Sequence, residues 1–155
     1  MERFLLAAHV VAGILFVGPV AVTTSLFPRY APVPAGAHAA ADDGPPHDGR
    51  SAAVAHVLHR VTRLYGTLAL AVPLVGLVLA AVQGRLTEVW IVAAMVLTAL
   101  AGGLLALRIT PMQQDALRTP DDGTRLRSLR GLAGAFNVVW VVVVVLMVVR
   151  PGHDA

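Results

Sequence analysis

Apolar and polar positions along the chain fall into long blocks, not short alternations. The first apolar block, Phe4 to Phe27, holds one ionisable residue, His9. At 1.5 Å of helical rise per residue, a block of about twenty-four residues crosses the roughly 30 Å hydrocarbon core of a bilayer. Three further blocks follow. The second helix is expected to start at the N-cap Ser51 and run to about Val82, with its membrane part over about 60–82. The third covers about 88–107 and the fourth about 131–149. The pattern predicts an all-α fold, an integral membrane four-helix bundle with antiparallel up-down topology, forming a single domain over 1–155. Its two long loops, 28–50 and 108–130, lie on one side.

Prolines and glycines punctuate these blocks. Pro19 should kink the first span near Leu15, and Pro28 should end it, because proline lacks an amide donor. The segment from Pro28 to Arg50 carries Pro32, Pro34, Pro45 and Pro46 with Asp42-Asp43-Gly44 between them. Nothing in it is periodic or apolar enough to pack, so it reads as an irregular linker, and its His38 and His47 read as solvated. Pro73 should bend the second helix. Gln83-Gly84-Arg85 reads as a short turn, which makes the second and third spans neighbours. Thr110-Pro111, with Gln113, fits an N-cap, a first-turn proline and a capping box, predicting a short helix over Pro111 to Leu117. Asp121-Asp122-Gly123 reads as a turn. Arg150-Pro151-Gly152 stops the last span.

Composition agrees with membrane helices. The chain is 57% hydrophobic and 14% charged, with a mean hydropathy of +0.74. A soluble domain would carry roughly a quarter charged residues. There is no cysteine, which excludes disulfides and thiolate metal sites. All twelve basic residues are arginine. The first and third connections, with the start of the second helix, hold Arg29, Arg50, Arg60, Arg63, Arg108, Arg118, Arg125, Arg127 and Arg130. The opposite side holds Arg3, Arg85 and Arg150. The positive-inside rule then puts both long loops in the cytoplasm and both termini outside. The same rule accounts for the high pI without nucleic acid, for which no interleaved aromatic and basic pattern is present. The Met1-Glu2-Arg3 start carries no net positive side-chain charge, and the apolar run exceeds a signal-peptide core, so the first span reads as uncleaved.

Few residues carry chemistry. A histidine inside a span must be neutral, paired or liganded. His9 shares a face with Gly13, Phe16, Val20 and Thr24, and the gap at Gly13 admits either a neighbouring backbone or a flat cofactor such as haem b, with His9 as axial ligand. Met95, Met147 or an open position would then complete the iron. His56, His59, Arg60 and Arg63 fall on one face of the second helix and form a candidate surface for an anion, a lipid headgroup or a partner's carboxylates. His56 and His59 alone would give a metal two ligands. His9 and His59 cannot share one haem, since about 18 residues of helix put them about 25 Å apart. Asn137 on the fourth span is placed to bond Arg63 or Tyr65, and Trp90 beside Glu88 reads as an interfacial anchor. Small residues for close packing occur at Ala8 and Ala12, at Ala94, Thr98 and Gly102, at Ala99 and Gly103, and at Gly131 and Ala135. No nucleophile–base pair or phosphate loop occurs. No Asp or Glu lies within a span, which argues against a proton-driven carrier.

Several stretches carry a resemblance. They are Ala8-His9-Val10-Val11-Ala12-Gly13 with Phe16-Val17-Gly18-Pro19, His59-Arg60-Val61-Thr62-Arg63-Leu64-Tyr65-Gly66, and Phe136-Asn137 through Trp140 to Leu146-Met147-Val148-Val149-Arg150-Pro151. Across all four spans the chain resembles the bacterial predicted integral membrane proteins of domain-of-unknown-function family 2269. The resemblance implies a four-helix domain of the bacterial inner membrane and no established activity. More distantly it is similar to the copper-resistance-D-like group, which includes haem-containing membrane protoporphyrinogen oxidases with a histidine early in the first span. His9 is the position that matches. The oxidase type also relies on a lysine, and this chain has none.

These readings lead to a non-enzymatic structural or accessory component of the membrane, acting as a homo-oligomer or as a subunit of a membrane complex, with the lipid bilayer as its constant partner. A haem b redox protein using His9 is the alternative, and a metal-ion or small-solute permease is the third.

Overall fold

The computed structural model describes residues 2–34 and 50–151. His38, His47 and Asp42-Asp43-Gly44 lie outside the described residues. All regular structure among the described residues is helical. The elements are α1 (Glu2–Ala12), a π-helical turn (Gly13–Val17), α2 (Gly18–Tyr30), α3 (Ala52–Leu68), α4 (Ala71–Val82), α5 (Val89–Leu104), a second π-helical turn (Leu105–Ile109), α6 (Thr110–Arg118) and α7 (Thr124–Val149). They join into four rods, Arg3–Tyr30, Ala52–Val82, Val89–Arg118 and Thr124–Val149, each long and apolar enough to cross a membrane.

Each proline leaves a different mark. Pro19 falls at the start of α2, directly after the π turn. Its missing amide frees the Leu15 carbonyl, and widening the preceding turn absorbs the fault without breaking the rod. Pro28 does not end the first helix. It is buried inside α2, which continues to Tyr30. The stop comes at Ala31, which turns extended at ψ 138°, as the residue before Pro32 is driven to do. In the second rod the break falls at Ala69–Leu70, one turn before Pro73. Val72 N donates back to Ala69 O at 3.0 Å, using the carbonyl that Pro73 leaves open.

The third rod departs furthest from expectation. Thr110 is not an N-cap: at φ −62°, ψ −47° it is helical, and it caps nothing. The π turn before it absorbs the amide lost at Pro111, so the helix runs unbroken to Arg118. Gln113 is therefore not part of a capping box and is free for a tertiary role. Other local signals hold. Ser51 Oγ accepts from Val54 N at 3.4 Å. The Asp121-Asp122-Gly123 turn forms with Gly123 in the left-handed region at φ +93°, closed by Gly123 N to Asp121 Oδ1 at 3.0 Å. The last helix stops at Arg150, which takes φ +46°.

The interior is uneven. Val20, Phe27, Ala101, Leu105, Ile109, Leu129 and Phe136 belong to one large apolar cluster where α2, α3, α5, α6 and α7 meet. A smaller cluster of Ala80, Trp90 and Ile91, with Met147 against it, lies toward the other end of α7. Of the expected small residues, Ala94 is buried, but Gly102 and Gly103 face open space. Much of the outer surface is apolar: Phe4, Ile14, Leu74, Val89, Leu107, Val138 and Val148 are each more than 60% exposed.

Candidate functional site

His9 is buried on α1 and points at α4. Its Nδ1 lies 3.0 Å from the Val72 carbonyl oxygen. A carbonyl only accepts, so Nδ1 carries the proton and a neutral ring keeps its lone pair on Nε2. The ring lies against Gly76: a Cβ there would stand 2.8 Å from His9 Cε1. The space that Gly13 was expected to leave is at Gly13 open; the imidazole instead packs on the backbone of a neighbouring helix. Beyond the π turn, Val20 and Thr24 of the expected face are buried, together with Thr23 and Phe27. Of the other haem-ligand candidates, Met95 is exposed and Met147 packs against the Trp90 cluster.

The four residues expected on one face of the second helix divide. His56, Arg60 and Arg63 are exposed on α3, while His59 turns inward. His59 Nδ1 bonds Gln113 Oε1 at 3.1 Å. Gln113 is fully buried, and its Nε2 has no partner among the described residues. Beside this pair, Thr23 and Thr62 join α2 to α3 through hydroxyls 2.8 Å apart, and Thr62 also donates to Leu58 O at 2.9 Å. Among the described residues no three His, Asp or Glu side chains gather to hold a metal.

Asn137 does not reach Arg63 or Tyr65. Its Nδ2 donates to Ser25 Oγ at 3.0 Å, joining α7 to α2. Trp140, one turn on, meets Phe136 edge to face at 6.2 Å. Trp90 is buried. Its indole donates to Glu88, which also pairs with Arg85 at 3.5 Å, and Arg150 stands over its ring at 5.6 Å. That chain of contacts ties the end of α7 to the turn before α5.

Two places were missed by reading the sequence. One is Gln113, whose signal was absorbed by the capping-box pattern. The other is a cavity of about 460 Å³ between α2 and α7, lined by Ser25, Arg29, Arg130, Ala133, Gly134 and Asn137. Close by, Arg50 donates to Ala31 O at 2.8 Å. Burial first, and the charge of Arg130 second, lower the Arg50 pKa from its usual value.

This is a helical bundle of four membrane-length rods with two buried histidines in separate contacts and an arginine-lined groove. No protein-family profile, curated protein or solved structure matches the chain.

Proposed function

We propose that the chain is a four-span bacterial inner-membrane protein with a structural or accessory role, related to domain-of-unknown-function family 2269. One observation carries this reading. In each of the four rods only about 11 to 28% of the most apolar stretch is buried inside the protein. Surfaces so apolar and so exposed are stable against lipid and not against water. Antiparallel neighbours are supported by the pairing of α1 with α4 and of α2 with α3. The arginine asymmetry supports cytoplasmic loops and external termini. The lack of cysteine makes the test direct. Single substitutions Thr87→Cys and Pro120→Cys are labelled with a membrane-impermeant maleimide. Thr87→Cys should react in intact spheroplasts and Pro120→Cys only after permeabilisation. The reverse pattern inverts the topology, and equal labelling of both overturns the spanning arrangement.

His9 is, on this reading, a helix–helix contact. The haem alternative is favoured by one feature, the lone pair on Nε2. The rest of the surroundings fit haem poorly, because the imidazole lies on the Gly76 backbone. An absorption spectrum of detergent-purified protein from haem-supplied cells decides between them. A colourless folded protein supports the contact. A Soret band lost in His9→Ala would replace it with the redox reading.

A further inference from the structure

The groove between α2 and α7 has two parts that share two residues. Its upper part is the 460 Å³ cavity with Arg29 and Arg130. Its lower part, about 380 Å³, is lined by Ala21, Val22, Leu26, Ser25 and Asn137 and is almost wholly apolar apart from the last two. Ser25 and Asn137, hydrogen bonded to each other, mark the boundary. Neither arginine has a carboxylate partner: among the described residues the ion pairs are Arg85–Glu88 and Arg125–Asp121. Among the described residues, then, two guanidiniums without a carboxylate partner sit at the head of an open apolar groove. Guanidinium matches phosphate oxygens in charge and in fork geometry. A hydrocarbon chain is the natural occupant of the lower groove.

We propose that this groove is a binding site for one anionic phospholipid, with the headgroup phosphate between Arg29 and Arg130 and an acyl chain along Ala21, Val22 and Leu26. The site rests on the membrane-spanning reading above. Charge complementarity selects an anionic head, and the continuity of the two cavities selects a lipid over a free anion.

The test uses the full-length protein in mild detergent, with native mass spectrometry reading bound lipid. Dioleoylphosphatidylglycerol should bind with a stoichiometry near one, and dioleoylphosphatidylcholine about tenfold more weakly, because its choline cation cancels the net charge of the head and is repelled by the two arginines. Arg29→Gln with Arg130→Gln should remove that preference. Gly134→Leu should remove binding without unfolding the protein, because nothing stands within 4 Å of a Cβ at that position and leucine favours the helix over glycine. Arg60→Gln with Arg63→Gln should bind as the natural chain does. Equal binding of both lipids, or unchanged binding in both the arginine and Gly134 variants, would overturn the site. Full displacement of the lipid by millimolar inorganic phosphate would overturn the lipid assignment in favour of a free anion. A carbonate wash of the cell membranes separates these results from failure of the spanning reading: release of the protein to the soluble fraction defeats that reading, whatever the lipid data show.

Discussion

At His59 the imidazole meets another side chain, Gln113, inside a region that also contains the Thr23–Thr62 pair and the large apolar cluster of Phe27, Ile109 and Leu129. At His9 the imidazole bonds backbone, the Val72 carbonyl, and lies against Gly76. Both rings are buried and both use Nδ1. The partners differ in kind, and so do the regions. Side-chain pairs specify which helices meet in the first. In the second a glycine specifies how closely they meet. In the proposed membrane setting, lipid gives helices no hydrophobic reason to associate, so each region must supply its own adhesion.

The broadest test truncates one leucine in each region. Leu129→Ala opens a cavity in the large cluster and should lower stability by about 3 kcal/mol. Leu79→Ala on α4, outside both clusters, should cost less, about 2 kcal/mol. Unfolding in detergent followed by circular dichroism gives both values. An equal or reversed order would erase the distinction between the regions. Next in size is Gly76→Ala. Its Cβ cannot stand 2.8 Å from His9 Cε1, so α1 must move or the ring must leave Val72. The expected cost is about 2 kcal/mol, the range for overpacking. Adding His9→Ala should recover most of it, and a double-mutant cycle reads that coupling. Additive effects would mean that the two residues do not meet.

The His59 region should behave in the opposite way. Gln113→Leu leaves the His59 Nδ1 proton unpaired in the interior, at about 1 to 2 kcal/mol. His59→Leu together with Gln113→Leu removes both polar groups and should return near the natural stability. If the double variant is worse than either single one, the pair has a role beyond mutual satisfaction, and the unpartnered Gln113 Nε2 becomes the atom to follow.

The contrast also explains what the sequence made legible. Helix count, rod length, the Ser51 cap and the Asp121-Asp122-Gly123 turn are local, and local signals specified them. His9 was visible as a costly intramembrane residue, but its partner lies 63 positions away and is a carbonyl plus a glycine, neither of which carries a pattern. His59 was grouped with His56, Arg60 and Arg63 because helical spacing cannot say how far a buried sector extends. Gln113 reads as a capping residue because Thr110-Pro111 has the form of a helix start. A π turn is a response of the whole rod to a proline, and the proline alone does not announce whether the rod will break, as at Ala69–Leu70, or widen, as at Leu105–Ile109. The Arg29–Arg130 groove requires two helices brought together from opposite parts of the chain.

The smallest effect concerns the turn that joins α6 to α7 beside the His59 region. Hydrogen bonds from Thr124 hold the Asp122 carboxyl below the usual carboxylate range, and Thr124 N donates to Oδ1 at 3.1 Å. A carboxyl whose pKa falls on folding contributes stability that is fully present above its unfolded value. That contribution is lost as pH falls from about 4 through the lower folded value. The side chain is fully exposed, so solvent screens the contribution and it stays small. Asp122→Asn keeps an acceptor for Thr124 but cannot titrate. The natural chain should therefore lose thermal stability relative to Asp122→Asn only below about pH 4. A difference that persists unchanged from neutral to acid pH would mean that Asp122 acts through turn geometry alone. The Arg125–Asp121 pair at 3.8 Å would then be the charged contact left in the turn beside the His59 region, and Asp122 would add nothing to that region's contrast with the His9 region beyond holding the turn's shape.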